Sequence, residues 1–171
     1  MYITVKIGDK EVGAFCSAVT PIIYRQVFKR DFIREKALLG KRLTARAKHI
    51  KKLNAIKAEI VSQFGEGKEI TADDFANIKE EKIDELVKAV DSTLTEDDYT
   101  AVIDQEELGI MLLFVMIKQE EIKDLAQLVR LSNTDYMSFL NDYSYNDLKK
   151  AGYQALIAWD HDAKSNVERK N

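Results

Sequence analysis

The sequence predicts an α+β fold, predominantly α-helical, in which an N-terminal β-hairpin is followed by about six helices. Three observations carry this expectation. The first sixteen residues alternate between apolar and polar, most of the remaining chain repeats apolar residues at steps of three and four, and one proline in 171 residues leaves long helices unbroken.

In Tyr2 to Ile7 the residues Ile3, Val5 and Ile7 share one face and Tyr2, Thr4 and Lys6 the other, the mark of a half-buried strand. Gly8-Asp9-Lys10 supplies a turn, and Val12, Ala14 and Cys16 resume the alternation. A hairpin is marginal alone, so this one is expected to lie against the helices or to pair with another copy. Thr20-Pro21 reads as a helix start, with Thr as N-cap and Pro where its missing N–H costs nothing; Ile23, Tyr24, Val27 and Phe28 carry that helix to about Arg34.

A second helix is expected from about Lys36 to Phe64, with Leu39, Leu43, Ala47, Ile50, Leu53, Ile56, Ile60 and Phe64 as its apolar stripe and Gly40 as a candidate break. Gly65-Glu66-Gly67 ends it and opens a candidate hinge reaching Thr71. Thr71-Ala72-Asp73-Asp74 caps a third helix built on Phe75, Ile78, Ile83, Leu86, Val87 and Val90, and Thr95-Glu96-Asp97-Asp98 caps a fourth. Leu108 to Ile117, in the stretch from Tyr99 to Leu131, is apolar on every side, so it is expected to be the central buried helix, with a boundary near Glu120. Two shorter helices follow, about Asp135 to Tyr143 and Asn146 to Trp159, then a polar tail from His161 to Asn171. The expected organisation is one globular domain over 1–160, comprising a hairpin (2–16), a basic helical region (20–64) and an acidic helical region (71–160), with the tail at 161–171.

Charge is unevenly placed. Arg25 to Lys57 holds twelve Lys and Arg against two acids, Asp31 and Glu35, while the rest of the chain holds fourteen basic and twenty-seven acidic residues. Such polarity suits a polyanion-binding face or association with copies of the same chain. Cys16 is the single cysteine, so no intramolecular disulfide forms and a reducing cytoplasm is expected. The longest apolar run, Ile110 to Ile117, has eight residues, well below the ~20 that span a bilayer, so no membrane partner is expected.

Residues able to run chemistry do not converge in the sequence. His49 and His161 lack any metal-ligand spacing, and Cys16 lies on a predicted strand, where a thiol usually packs as a small hydrophobe. The seven glycines form no phosphate loop, and Asp73-Asp74 and Asp97-Asp98 sit in first helical turns, where they complement the macrodipole. The expectation is a non-enzymatic binding protein with no catalytic, metal or cofactor residues and no cofactor. Lys41, Arg42, Arg46, Lys48, Lys51 and Lys52 could line a helix against phosphates, which makes a small nucleic-acid-binding regulator using residues 25–57 the alternative reading. Against nucleic acid stands the lack of aromatic residues between Phe32 and Phe64; a solvated helix face, or a patch meeting a neighbour's acidic half, explains the same charges.

From Phe15 to Phe32 the chain resembles the N-terminal signature of tail assembly chaperones of long-tailed bacteriophages and prophages of Gram-positive bacteria. In that family a short β segment leads into a helix reading Thr-Pro, Tyr-Arg, Phe and Arg-Asp, as Thr20-Pro21, Tyr24-Arg25, Phe28 and Arg30-Asp31 do here. Further on, an apolar helix (Leu108 to Lys118), an aromatic one (Tyr136 to Leu140) and a last helix bearing Trp159 look similar too. The resemblance covers about half the chain and leaves out an enlarged middle region, 36–90. It implies a non-enzymatic chaperone of the host bacterial cytoplasm, absent from the mature virion, that binds the tape-measure protein, keeps it soluble and helps recruit tail-tube protein. Such genes often also yield a longer frameshifted product, of which this chain would be the short form. A homo-oligomer coating an elongated client fits the uneven charge. Tyr24, Arg25, Phe28 and Arg30 are the candidate protein-interaction residues; the competing reading, which the spacing favours, has Tyr24 and Phe28, one turn apart, anchoring that helix to the core, with Arg30 and Asp31 as a local charge pair.

Overall fold

The computed structural model describes residues 1–64 and 96–168. The helix expected over Thr71 to Val90, the hinge before it and the cap at Thr95 lie outside the described residues. Strands β1 (Tyr2–Ile7) and β2 (Lys10–Phe15) form an antiparallel hairpin, followed by helices α1 (Thr20–Phe28), α2 (Phe32–Phe64), α3 (Glu96–Glu121), α4 (Leu125–Leu128), α5 (Asn133–Asn141) and α6 (Tyr145–Glu168). The fold is α+β and predominantly helical. By backbone proximity the chain divides into two compact units, Met1–Leu38 with Ile103–Asn171, and Leu39–Val102.

In the first unit the hairpin register pairs Tyr2 with Phe15, Val5 with Val12 and Ile7 with Lys10, leaving a two-residue loop at Gly8-Asp9. Gly8 takes φ +60°, open to glycine at no steric cost, and as the first loop residue it matches the twist that hairpins need. Val5, Ile7 and Ala14 are buried, and β1 packs on α6. The hairpin therefore does not stand alone: a helix covers one face.

Two features of α1 depart from the sequence expectation. Its N-cap is Val19, not Thr20, and the fully buried Thr20 hydroxyl instead accepts from Gln119 Nε2 at 2.8 Å and from Ser17 N at 2.9 Å. The buried Gln119 amide needs a partner of its own, and its oxygen accepts from Ser17 Oγ at 2.7 Å. The helix also ends at Phe28, not near Arg34, because Lys29 turns left-handed (φ 56°) and its N–H closes back on Arg25 O at 2.9 Å. Asp31 then starts α2, with Oδ1 accepting from Arg34 N at 3.1 Å. That contact, followed by the Arg25 guanidinium, holds the Asp31 carboxyl below its ordinary range.

The core is the apolar stretch of α3. Every residue from Leu108 to Ile117 is buried, as its all-round hydrophobicity predicts. Each large side chain so covered stabilises the fold by roughly 1.5–3 kcal/mol. Phe114 is the hub of an aromatic cluster, with ring centres 6.3 Å from Phe28, 5.5 Å from Tyr136 and 5.4 Å from Phe139. Phe32 joins Tyr24 at 5.3 Å and Trp159 at 5.0 Å, so α1, α2, α3, α5 and α6 all reach it.

Helices α3 and α6 touch backbone to backbone where Gly109 meets Gly152. A Cβ added at Gly152 would lie 2.7 Å from Gly109 C and Ile110 N, and one added at Gly109 would lie 2.9 Å from Gly152 C. Nearby, Lys149 pairs with Glu106, whose carboxylate also accepts from Tyr145 Oη at 2.8 Å; the lysine first, then the tyrosine, lowers the Glu106 pKa. Helix α6 runs on to Glu168, past the Trp159 at which the pattern placed its end. Helix α5 opens with a capping box, Ser132 and Asp135 exchanging hydrogen bonds. The short α4, capped by Asp124, was not distinguished in the sequence.

In the second unit, Gly40 does not break α2; it lies inside the helix with nothing within 4 Å of a Cβ built there. The stripe turned inward also differs from the expected one. Leu39 is buried and Arg42, Leu43, Arg46, His49 and Leu53 are half-buried, whereas Ala47 and Ile50 are exposed. Arg42 explains part of this shift, since its Nη2 donates to Thr100 Oγ1 at 2.6 Å and draws a polar residue inward.

Candidate interaction surfaces

The candidate residues of α1 form the elbow between α1 and α2. Tyr24 is fully buried; its hydroxyl donates to Glu35 Oε2 at 3.0 Å and its ring stands 4.9 Å from Phe28. Burial, and then the Glu35 carboxylate, raise the Tyr24 pKa well above the ordinary phenol. Arg30 is held by two carboxylates, Nε to Glu35 Oε1 and Nη1 to Glu107 Oε1, each at 2.6 Å. Burial opposes its charge, but Glu35 and Glu107 outweigh that and raise its pKa. Arg25 pairs with Asp31 across the turn.

The Tyr-Arg, Phe and Arg-Asp pattern thus has a structural job in this chain. Its aromatic members anchor α1 in the core, and its charged members fasten the reversal that lets α2 begin. Phe28, half-buried, and Arg30 also reach solvent in a shallow concavity of about 340 Å³ with Val27, Lys29, Glu107, Met111, Asn133 and Tyr136. The Tyr136 hydroxyl, pushed up to about 12 by burial and then by Glu107, stays protonated there at neutral pH.

A larger groove, about 470 Å³, lies on the same unit between the open end of the hairpin and the end of α3. Its apolar lining includes Tyr2, Phe15, Val19, Ile122, Leu125 and Leu128, with Ser17, Gln119, Glu120 and Lys123 at polar positions. Tyr2 and Phe15 are cross-strand partners, and the Tyr2 hydroxyl lies over Gly13, where an added Cβ would meet it at 2.6 Å. Tyr2 and Leu125 are 56% and 53% exposed, which is unusual for side chains whose neighbours on the same elements are core. Sequence reasoning missed this groove. The alternation put Tyr2 on the polar face, and Leu125 falls in a helix too short to show a period.

On the second unit, α2 presents a different surface. Lys41, Lys48, Lys51 and Lys52 are exposed, as are Thr44 and Ala45 between them and Ala55 one turn beyond, opposite the half-buried stripe. The predicted basic residues therefore divide: four lysines face water, while Arg42 and Arg46 turn inward, and Arg46 Nε is buried with no hydrogen-bond partner among the described residues.

Cys16 is buried at the end of the hairpin. His49 is half-buried on α2 and His161 exposed on α6. Among the described residues no group of three or more His, Cys, Asp and Glu is placed to hold a metal ion, and no helix is long and apolar enough to cross a membrane. Comparison of the chain with protein-family models, with curated proteins and with solved structures finds no match.

Proposed function

We propose that this protein is a non-enzymatic tail assembly chaperone of a long-tailed phage or prophage, which binds the tape-measure protein, keeps it soluble and helps recruit tail-tube subunits. The observation that carries the reading is the signature Thr20-Pro21, Tyr24-Arg25, Phe28 and Arg30-Asp31, which the fold uses as one unit: Pro21 opens α1, Tyr24 and Phe28 anchor it, and Arg25, Arg30 and Asp31 close its turn into α2. Support also comes from the groove at Tyr2, Phe15 and Leu125. An elongated helical client exposes apolar stripes, and an apolar groove with a polar rim is a surface that covers such a stripe. Several copies acting together, in the bacterial cytoplasm and not in the finished particle, would coat the client along its length.

The test is co-expression with the tape-measure protein of the same phage or prophage genome, followed by solubility and pull-down measurements. The client should become soluble and co-purify, and Tyr2→Ser combined with Leu125→Ser should cut recovery at least several-fold while leaving the circular dichroism unchanged. A client that stays insoluble beside well-folded protein would refute the proposal.

A further inference from the structure

We propose that the exposed lysine face of α2 binds the phosphate backbone of nucleic acid without regard to sequence. The face goes beyond the chaperone reading and lies outside the segments that carry that reading.

Four exposed lysines, Lys41, Lys48, Lys51 and Lys52, stand on one side of a regular helix. None makes an ion pair among the described residues. Six basic residues elsewhere, Arg25, Arg30, Lys36, Lys118, Lys123 and Lys149, each hold a carboxylate, and the other described ones are scattered instead of gathered on one helix side. Lys41 to Lys52 spans about 16 Å at 1.5 Å per residue, the length of about five successive phosphates on one strand of a duplex.

The residues that share this side with the lysines decide the class of partner. Thr44, Ala45 and Ala55 are small, so a broad polyanion can approach the helix closely. The same smallness argues against a protein partner, whose binding energy would come from large buried anchors such as Trp, Tyr or Arg. Counterion release from phosphates requires no such anchor. Between Lys41 and Lys52 there is no aromatic residue to stack on a base, and Arg42 and Arg46 turn inward, so the contact there is confined to the backbone.

The experiment is fluorescence anisotropy of the full chain with a labelled 24-base-pair DNA duplex and the matching single strand, from about 20 to 200 mM salt. Binding to either probe is expected, with log affinity falling against log salt at a slope of about −3 to −4 for four neutralised phosphates. Which probe binds tighter separates duplex from single-strand recognition. A variant combining Lys41→Gln, Lys48→Gln, Lys51→Gln and Lys52→Gln should lose at least tenfold in affinity at low salt with its helical circular dichroism intact. Should that variant misfold, Lys48→Glu and Lys52→Glu made singly should each lose at least threefold. No binding at 20 mM salt, unchanged binding in the folded variants, or equally tight binding to polyglutamate of the same charge would overturn the proposal, the last pointing to an acidic protein instead. Tape-measure solubilisation by the glutamine variant reads out the chaperone proposal separately.

Discussion

The two long helices of this chain put the same backbone geometry to opposite uses. In α3, ten consecutive residues from Leu108 to Ile117 are buried, and aromatic rings from α1 and α5 close over Phe114. From Lys41 to Asn54, α2 has no fully buried residue, and its outward side carries lysines. A helix apolar all round draws neighbours onto every face, so its stability is tertiary. The stretch of α2 is half-buried along one side only, and its lysine side is exposed. The difference teaches that stability and accessibility have been assigned to separate helices.

The sharpest way to break this contrast is to hollow the packed helix. Phe114→Ala removes the hub of the aromatic cluster and should cost about 3–5 kcal/mol, measured by chemical denaturation. The next effect comes from separating α3 and α6. Gly152→Ala places a methyl 2.7 Å from the backbone of Gly109 and Ile110, where no flexible side chain can yield, and should cost about 1–3 kcal/mol with a lowered melting temperature.

Alkaline pH probes the same core. The folded state holds the Tyr136 phenol up to about 12 against an ordinary 10, so the native protein keeps a proton that the unfolded chain gives up. The contribution is complete below pH 10 and is lost as pH rises through 12, about 1–2 kcal/mol once solvent screening of the partly exposed phenol is discounted. The difference between wild type and Tyr136→Phe across this interval isolates that contribution; a constant difference would contradict it. At the small end, Lys48→Gln on the open face of α2 should change stability by no more than about 0.5 kcal/mol, since the side chain is exposed and ion-paired with nothing among the described residues.

Much of this architecture can be read along the chain. The alternation from Ile3 to Ile7 placed β1, and Gly8 placed the turn, because a period of two and a positive φ are both local demands. The burial of Leu108 to Ile117 was legible for a related reason, since ten apolar residues leave no polar face for water. The candidate surface was less legible. The one-turn spacing of Tyr24 and Phe28 already favoured a core anchor over a binding surface, but their partners Phe32, Phe114 and Tyr136 arrive from three other elements and could not be named from the spacing.

Local chemistry in the sequence was thus sufficient for the hairpin, the helical class, the central segment and the uneven charge, since each follows from periodicity or composition. Tertiary structure decided the rest. It moved the end of α1 back to Phe28, because Lys29 adopts a left-handed turn that the Arg25, Asp31, Arg30 and Glu35 contacts accompany. It turned Thr20 from a cap into the partner of Gln119, brought Gly109 against Gly152 from forty-three positions away, and sorted a run of like charges into inward arginines and outward lysines. These outcomes depend on which surfaces meet, and the free energy of a contact between distant residues leaves no periodic trace in either one's neighbourhood.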